Sequence, residues 1–362
     1  MCLACETKIN VADLDAFSGH YLEILNHGAL ALMISIGHRT GLFDALNTSG
    51  PCTSEQLAHA AGLNERYVRE WMGAMVAGKI VECKGDTFTL SEAPSRLFTN
   101  AEGSPNIAYL SQYIGLLGEV ETRIVDCFRK GGGVSYSAYP RFHDVMAEDS
   151  MQSVVEPLIE HILPLVPGLI LALQNGIDVL DVGCGRGRAL HLLAATFPAS
   201  RFTGYDLSET AIAFAVDRAD RAELRNLRFE TRDLTHFHCE APEAAYDLVT
   251  AFDAIHDQAR PDNVLAGIRR SLKPTGIFLM QDIRAASNPA DNRDHVLGPL
   301  LYTISCMHCM TTSLAQGGMG LGAMWGEGKA IAFLQEAGFQ HIDVRVLEHD
   351  IQNNYYLAYP GN

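Results

Sequence analysis

Basic residues are scarce in this sequence: 27 lysines and arginines face 43 aspartates and glutamates over 362 residues, a net charge of −16. A chain of that sign repels phosphate backbones unless a local basic patch intervenes, so nucleic acid is not an expected partner. Polybasic segments are missing too, which removes the usual attraction to an anionic membrane surface. Long apolar runs are also lacking. The best candidate, Ile162 to Leu173, is short and broken by Pro164, Pro167 and Gly168, so no bilayer span is expected. The first residues, Met1-Cys2-Leu3-Ala4-Cys5-Glu6, carry neither the basic nor the apolar stretch of a secretory signal. The cysteines number nine, an odd count scattered along the chain, which does not suit a disulfide framework. A reducing, cytoplasmic location is the expectation.

What is present reads as a large globular protein. Apolar residues make up 48% and charged residues 19%, enough for a sizeable core. The length suits two or three domains.

Residues 1–100 read as mostly helical. Thr53-Ser54-Glu55-Gln56 fits a capping box, and Asn64 caps a helix from Glu65 to Ala77. Lys79 to Leu90 alternates around a turn at Lys84-Gly85-Asp86, which predicts a hairpin. Helix, turn, helix, hairpin is the order of a winged helix. Residues 101–175 read as a helical connector and lid. Residues 176–362 alternate strands and helices, which predicts an α/β fold with a doubly wound, seven-stranded, mostly parallel sheet. An insertion at 289–324 interrupts that alternation.

The chemistry concentrates at the first strand of this third region. Asp181-Val-Gly183-Cys184-Gly185-Arg-Gly187 closes an apolar strand and opens a helix. Glycines there let the backbone turn tightly and approach a ligand without a Cβ clash. Helix-start amides then offer donors to polar ligand groups. The next strand ends in Asp206-Leu207, where a carboxylate suits two ribose hydroxyls. The spacing is Gly-x-Gly-x-Gly rather than Gly-x-Gly-x-x-Gly, which argues against a nicotinamide dinucleotide.

On these residues the chain resembles the class I methyltransferases, whose motif I is an acid followed by x-Gly-x-Gly-x-Gly. The resemblance implies S-adenosylmethionine as cofactor, with Asp181 orienting the loop and the methionine moiety and Asp206 on the ribose. It further implies adenine contacts from Asp233-Leu234 and a motif IV position at Phe252-Asp253. Ala254-Ile255-His256-Asp257 follows, resembling the small-molecule O-methyltransferases of plant and antibiotic biosynthesis. In those enzymes that histidine is the general base. His256 is then the candidate base, and Asp282, at the end of the next strand, the acid that supports it. Gln258 replaces the family's tryptophan, which leaves the acceptor class open. Those relatives also carry a winged-helix dimerisation domain, so a homodimer and a small-molecule acceptor are implied.

The insertion holds Ser305-Cys306-Met307-His308-Cys309-Met310 and then Gly317-Gly318-Met319-Gly320-Leu321-Gly322-Ala323-Met324-Trp325, which resembles a signature of two-domain bacterial methyltransferases. One reading is an amphipathic helix whose methionines pack a lid. Another makes Tyr136, Met307, Cys309 and Trp325 walls of an acceptor pocket, with His308 as a rival base. A thiol acceptor is possible, since polarisable sulfurs suit it and a thiolate needs little base assistance. Zinc on Cys306, His308 and Cys309 with Cys2 and Cys5 is not expected, because the pairs sit in unlike contexts. Two rival functions stay open: a winged-helix regulator or sensor that binds S-adenosylmethionine, and a methyltransferase acting on protein or nucleic acid. Against a DNA-binding role, the segment Ser54 to Ile80 balances Glu55, Glu65 and Glu70 against Arg66, Arg69 and Lys79, while Trp71, Met72, Met75 and Val76 suit burial or dimer contact.

Overall fold

The structure, a computed structural model, describes residues 10–100 and 105–361; Cys2, Cys5 and Ser104 lie outside the described residues. The chain divides into two compact units, Met1–Leu116 and Leu117–Asn362.

The first unit opens with α1 (Val11–Arg39), eleven residues earlier than the apolar run at Leu22 alone marks. Then follow α2 (Leu42–Ser49), α3 (Ser54–Ala61) and α4 (Glu65–Ala77). The capping box at α3 forms as expected: the Gln56 amide donates to Thr53 Oγ1, and the Thr53 amide donates to Gln56 Oε1. A hairpin of β1 (Val81–Lys84) and β2 (Thr87–Leu90) completes the wing. Trp71, Met72 and Met75 of α4 are buried inside this unit, and the Trp71 indole donates to the Met33 carbonyl at 2.9 Å. Burial rather than dimer contact therefore accounts for them. Exposed apolar side chains of this unit concentrate instead on α1, among them Val11, Leu14, Phe17, Tyr21 and Leu25.

The second unit holds a seven-stranded sheet. Its strands are β3 (Asp178–Val182), β4 (Arg201–Asp206), β5 (Leu227–Thr231), β6 (Tyr246–Phe252), β7 (Leu272–Ile283), β8 (Phe339–Arg345) and β9 (Asn353–Pro360). Their order is β5-β4-β3-β6-β7-β9-β8. The first five run parallel, and β9 is antiparallel to both neighbours. Alternate residues of one strand enter opposite cores: Leu180 and Val182 pack on one face with Val249 and Phe278, and Val179 packs on the other with Leu248 and Leu279. The chain reverses its winding direction at β3, so β3 and β6 part at their carboxyl ends. That switch point is where open α/β sheets bind ligands.

Helices α5 (Phe142–Ser150), α6 (Arg188–Thr196), α7 (Glu209–Arg221) and α8 (Pro261–Ser271) belong to this unit. Within the insertion, 298–315 fold as one helix, α9, in three consecutive segments: Gly298–Ile304, a π turn at Ser305–Cys309, and Met310–Ala315. The last helix is α10 (Glu327–Glu336). Trp325 ends a 3-10 turn, and Gly326 at φ +82° breaks the path between them. Among the described residues, no single helix is long and apolar enough to cross a membrane.

Candidate active site

The glycine loop between β3 and α6 is shaped by close approach. Gly183 has φ +74°, and a Cβ there would stand 2.4 Å from the Ala254 Cβ. Gly187 has φ +67°, and its Cβ would stand 2.3 Å from the Phe229 ring. No side chain fits at either position. Gly185 differs: φ is +52°, yet its Cβ would meet open space. The loop therefore keeps one open face at Gly185, backed by two enforced glycines.

The loop amides are mostly occupied within the chain. Gly183 and Cys184 donate to the Tyr205 carbonyl, Gly187 to the Cys184 carbonyl, and Gly185 to Asp206 Oδ2 at 2.8 Å. The loop thus offers room and shape more than the free donors expected from its sequence. Asp206 Oδ1 accepts the Ser208 amide at 2.8 Å, so each carboxylate oxygen keeps a lone pair for a further donor. Burial raises the Asp206 pKa, against the pull of those two amides. Ser208 Oγ in turn meets His143 Nε2 at 3.1 Å.

Asp181 lies beneath the loop, buried at 3% exposure, and accepts the Thr250 hydroxyl at 2.7 Å. Burial pushes its pKa up to about 7, with the Thr250 bond working against the rise. Above pH 7 the folded protein therefore holds a buried carboxylate that the unfolded chain solvates freely. The cost is absent below pH 4, grows as pH rises, and levels above pH 7 at roughly 4 kcal/mol for a shift of about three pH units. Asp181→Asn is expected to stabilise the ligand-free protein by an amount near zero at pH 4 and of that order at pH 8, read by urea unfolding. Equal stabilisation at both pH values would contradict a carboxylate titrating near 7.

A second cluster surrounds His256, which is 2% exposed at the end of β6. Its Nδ1 pairs with Asp282 Oδ1 at 2.8 Å, and its Nε2 stands 3.2 Å from Asp257 Oδ1. Asp282 Oδ1 also accepts the Trp325 indole N–H at 2.9 Å and the Ile283 amide at 2.8 Å. Burial lowers the His256 pKa, but Asp282 and then Asp257 outweigh it, so the ring's proton affinity rises well above ordinary. Asp253 sits beside them with φ +54°, its Oδ1 3.9 Å from His256 Nδ1, and burial pushes its carboxyl up to about 7.

The π turn of α9 brings two further side chains to this cluster. Such turns add one residue per hydrogen-bonded loop and often sit at functional sites. Here His308 and Cys309 are both buried. The His308 ring stacks on Phe142 with centroids 3.5 Å apart, and Tyr139 and Tyr136 meet it edge-on at 4.8 and 5.1 Å. Burial in that aromatic box drives the His308 pKa down to about 4 and that of Cys309 up to about 12. The Tyr139 hydroxyl donates to the Met307 carbonyl, which ties the segment before α5 to the insertion.

The residues singled out from sequence thus divide in space. Asp181, Gly183, Cys184, Gly185, Gly187 and Asp206 form one group around the loop. His256, Asp282, Asp253, His308, Cys309 and Tyr136 form another, with Met307 at its edge. Gly183 touches Ala254, two residues before His256, and so joins the groups. Phe252 is half-buried at the end of β6. Leu207 and Asp233 are exposed, and Asp233 Oδ1 takes the Thr235 amide at 2.9 Å; Leu234 is buried. Trp325 lies deep, bonded to Asp282, rather than lining an open wall. Asp257 and Phe142 were not singled out. Adjacency to His256 is the signal that marks Asp257. Nothing local marks Phe142, because its partner His308 lies far along the chain.

Comparisons with known proteins bear on the two domains. Residues 28–99 match the model of the Rv2258c-like winged helix-turn-helix domain, and residues 173–327 match the model of a methyltransferase domain. The fatty-acid O-methyltransferase of Mycolicibacterium smegmatis is 35% identical over 110 residues, 30% of this chain and 38% of that relative. The chain therefore spans well under half the length of that curated relative. The solved structure of human N-acetylserotonin methyltransferase with S-adenosylmethionine aligns over 99% of this chain and 100% of that one, with TM-score 0.66 and 17% identity. Mitomycin 7-O-methyltransferase aligns over 97% of this chain and 100% of that one, with TM-score 0.68 and 16% identity. The chain joins a winged-helix domain to a methyltransferase domain, and its fold is similar to that of these enzymes.

Proposed function

We propose that this chain is an S-adenosylmethionine-dependent methyltransferase that moves a methyl group to a sulfur or oxygen nucleophile of a small molecule. The observation that carries this reading is the joining of two groups at the sheet's switch point: the enforced glycine loop with Asp181 and Asp206, and the buried pair of His256 and Asp282. The loop and Asp206 fit the cofactor, since Gly185 leaves space and both Asp206 oxygens keep a free lone pair. When bound, the cofactor supplies an activated sulfonium methyl.

This chain's residues then position the acceptor and accept its proton. Asp282 holds the His256 ring through Nδ1, and Trp325 and the Ile283 amide hold Asp282. Once the pH is high enough to deprotonate this ring of raised proton affinity, His256 Nε2 is left as the nitrogen that removes a proton, so turnover should rise with pH. The carboxylates of Asp282 and Asp257 stabilise the imidazolium that results. His308, in its aromatic box with Phe142, Tyr136 and Tyr139, helps wall the acceptor side. The exposed apolar stripe of α1, including Phe17, Tyr21 and Leu25, supports a homodimer, and the free thiols Cys52 and Cys309 suit the cytoplasm.

The test is release of S-adenosylhomocysteine with a panel of small thiols and hydroxylated aromatics. Turnover with at least one member is expected. Tight cofactor binding without release from any acceptor would instead point to a sensor.

A further inference from the structure

Among the described residues, five buried polar atoms around His256 find no hydrogen-bond partner: Oδ1 of Asp253, Oδ1 of Asp257, Oδ2 of Asp282, and both ring nitrogens of His308. Buried polar groups are normally paired, and a cluster of exceptions calls for a ligand or an ion. Every one of these atoms except a single histidine N–H offers electrons rather than a proton.

The spacing is that of metal ligands. His256 Nε2 and Asp257 Oδ1 are 3.2 Å apart, an ion-pair distance that two ligands of one metal ion would also keep. Two ligands at about 2.0–2.1 Å from a tetrahedral ion stand roughly 3.3 Å apart. Cys309 completes the set: one donor atom each from His256, Asp257 and Cys309 lies within 4.8 Å of the others. On the far side of the ring, Nδ1 is held by Asp282 at 2.8 Å. A carboxylate behind a histidine is the usual outer support of a bound metal, and it leaves Nε2 facing the ion. His308, 0% exposed, has Nδ1 3.9 Å from Asp257 Oδ2. Nitrogen, oxygen and sulfur donors together suit zinc better than magnesium or calcium. Asp257 is 19% exposed, which leaves a way in. This set differs from the Cys306-centred one weighed on sequence spacing.

We propose that His256 Nε2, Asp257 and Cys309 form a binding site for a divalent ion of the zinc type, and that a bound ion inhibits methyl transfer by occupying the nitrogen that removes the acceptor proton. The binding stands by itself; the inhibition rests on the function proposed above.

Cobalt(II) is the probe, added to the full chain with Cys2 and Cys5 replaced by serine. One equivalent is expected to bind at micromolar concentration and to produce a near-ultraviolet thiolate-to-cobalt band. Cys309→Ala should abolish the band, and Asp257→Asn should weaken cobalt binding at least tenfold while keeping the band at saturation. The second variant keeps the thiol, so loss of fold in one cannot mimic the whole pattern. Zinc at one equivalent should lower turnover at least tenfold, with recovery on adding a chelator. Absence of the band in the parent chain, or its persistence in Cys309→Ala, overturns the site. Methyl transfer indifferent to zinc in a chain that binds cobalt overturns the inhibition alone. Cobalt binding in a chain that never releases S-adenosylhomocysteine leaves the site intact and overturns the transferase reading.

Discussion

His256→Ala is expected to lower turnover of a hydroxyl acceptor by roughly 10²–10⁴-fold while leaving cofactor affinity within about twofold, as removal of a positioned general base does. The ring is well placed for this loss to be specific. It is buried, held through Nδ1 by Asp282, and separated from the cofactor loop by the backbone at Ala254. Asp282→Asn should cost less, because the amide can still orient the ring but no longer stabilises its cation. His308→Ala should cost under tenfold, since a ring whose proton affinity is pushed down to about 4 is a poor proton acceptor. With a thiol acceptor the His256→Ala loss should shrink, because a thiol is already partly ionised near neutral pH. The ratio of the two losses therefore reports which nucleophile the site is built for. Full turnover in both histidine variants would rule out base catalysis by either.

Gly183→Ala is expected to weaken cofactor binding at least tenfold and to depress turnover further. Two effects combine at this position. A left-handed φ of +74° costs a non-glycine residue about 1–2 kcal/mol, and the new methyl would stand 2.4 Å from Ala254 Cβ. The collision must move either the loop or the strand end that carries His256. Gly185→Ala isolates the first effect, because it shares the positive φ and meets open space. Calorimetric titration with S-adenosylhomocysteine should rank wild type above both variants, and urea unfolding of the ligand-free chain should rank Gly185→Ala above Gly183→Ala. Affinity in Gly183→Ala within twofold of wild type would show that the loop absorbs the methyl without moving.

The zinc proposal and the base assignment meet at the same nitrogen, and each limits the other. Asp257 holds the imidazolium in one state and ligates in the other. An alternative arrangement on Asp253, His256 and Asp282 also keeps its donor atoms within 4.8 Å of one another. Its His256 nitrogen, however, already has Asp282 as a hydrogen-bond partner. The Nε2 side is therefore the better coordination site.

Much of this protein is legible in its residues taken in order. Hydrophobic alternation against helical spacing marks the seven strands and the helices between them, because burial on one face or two imposes a period that survives in the sequence. Caps at Thr53, Asn64 and Ser208 mark helix starts, since each satisfies an otherwise unpaired amide nearby in the chain. The loop from Asp181 to Gly187 is legible for the same reason: its glycines answer to local φ angles and to an adjacent strand. What order along the chain does not contain is contact between distant segments. Trp325 reads as a wall of a pocket, yet its indole N–H finds Asp282 only when the insertion folds back on the sheet. Phe142 has no sequence signal, yet it covers the whole face of His308. The shift of Cys309 toward His256 depends on one extra residue in a helical turn, which helix propensity does not encode. Local energies determined the elements and the cofactor loop. The acceptor side, where unpaired carboxylates, two histidines and a thiol share one buried space, was decided by long-range packing alone.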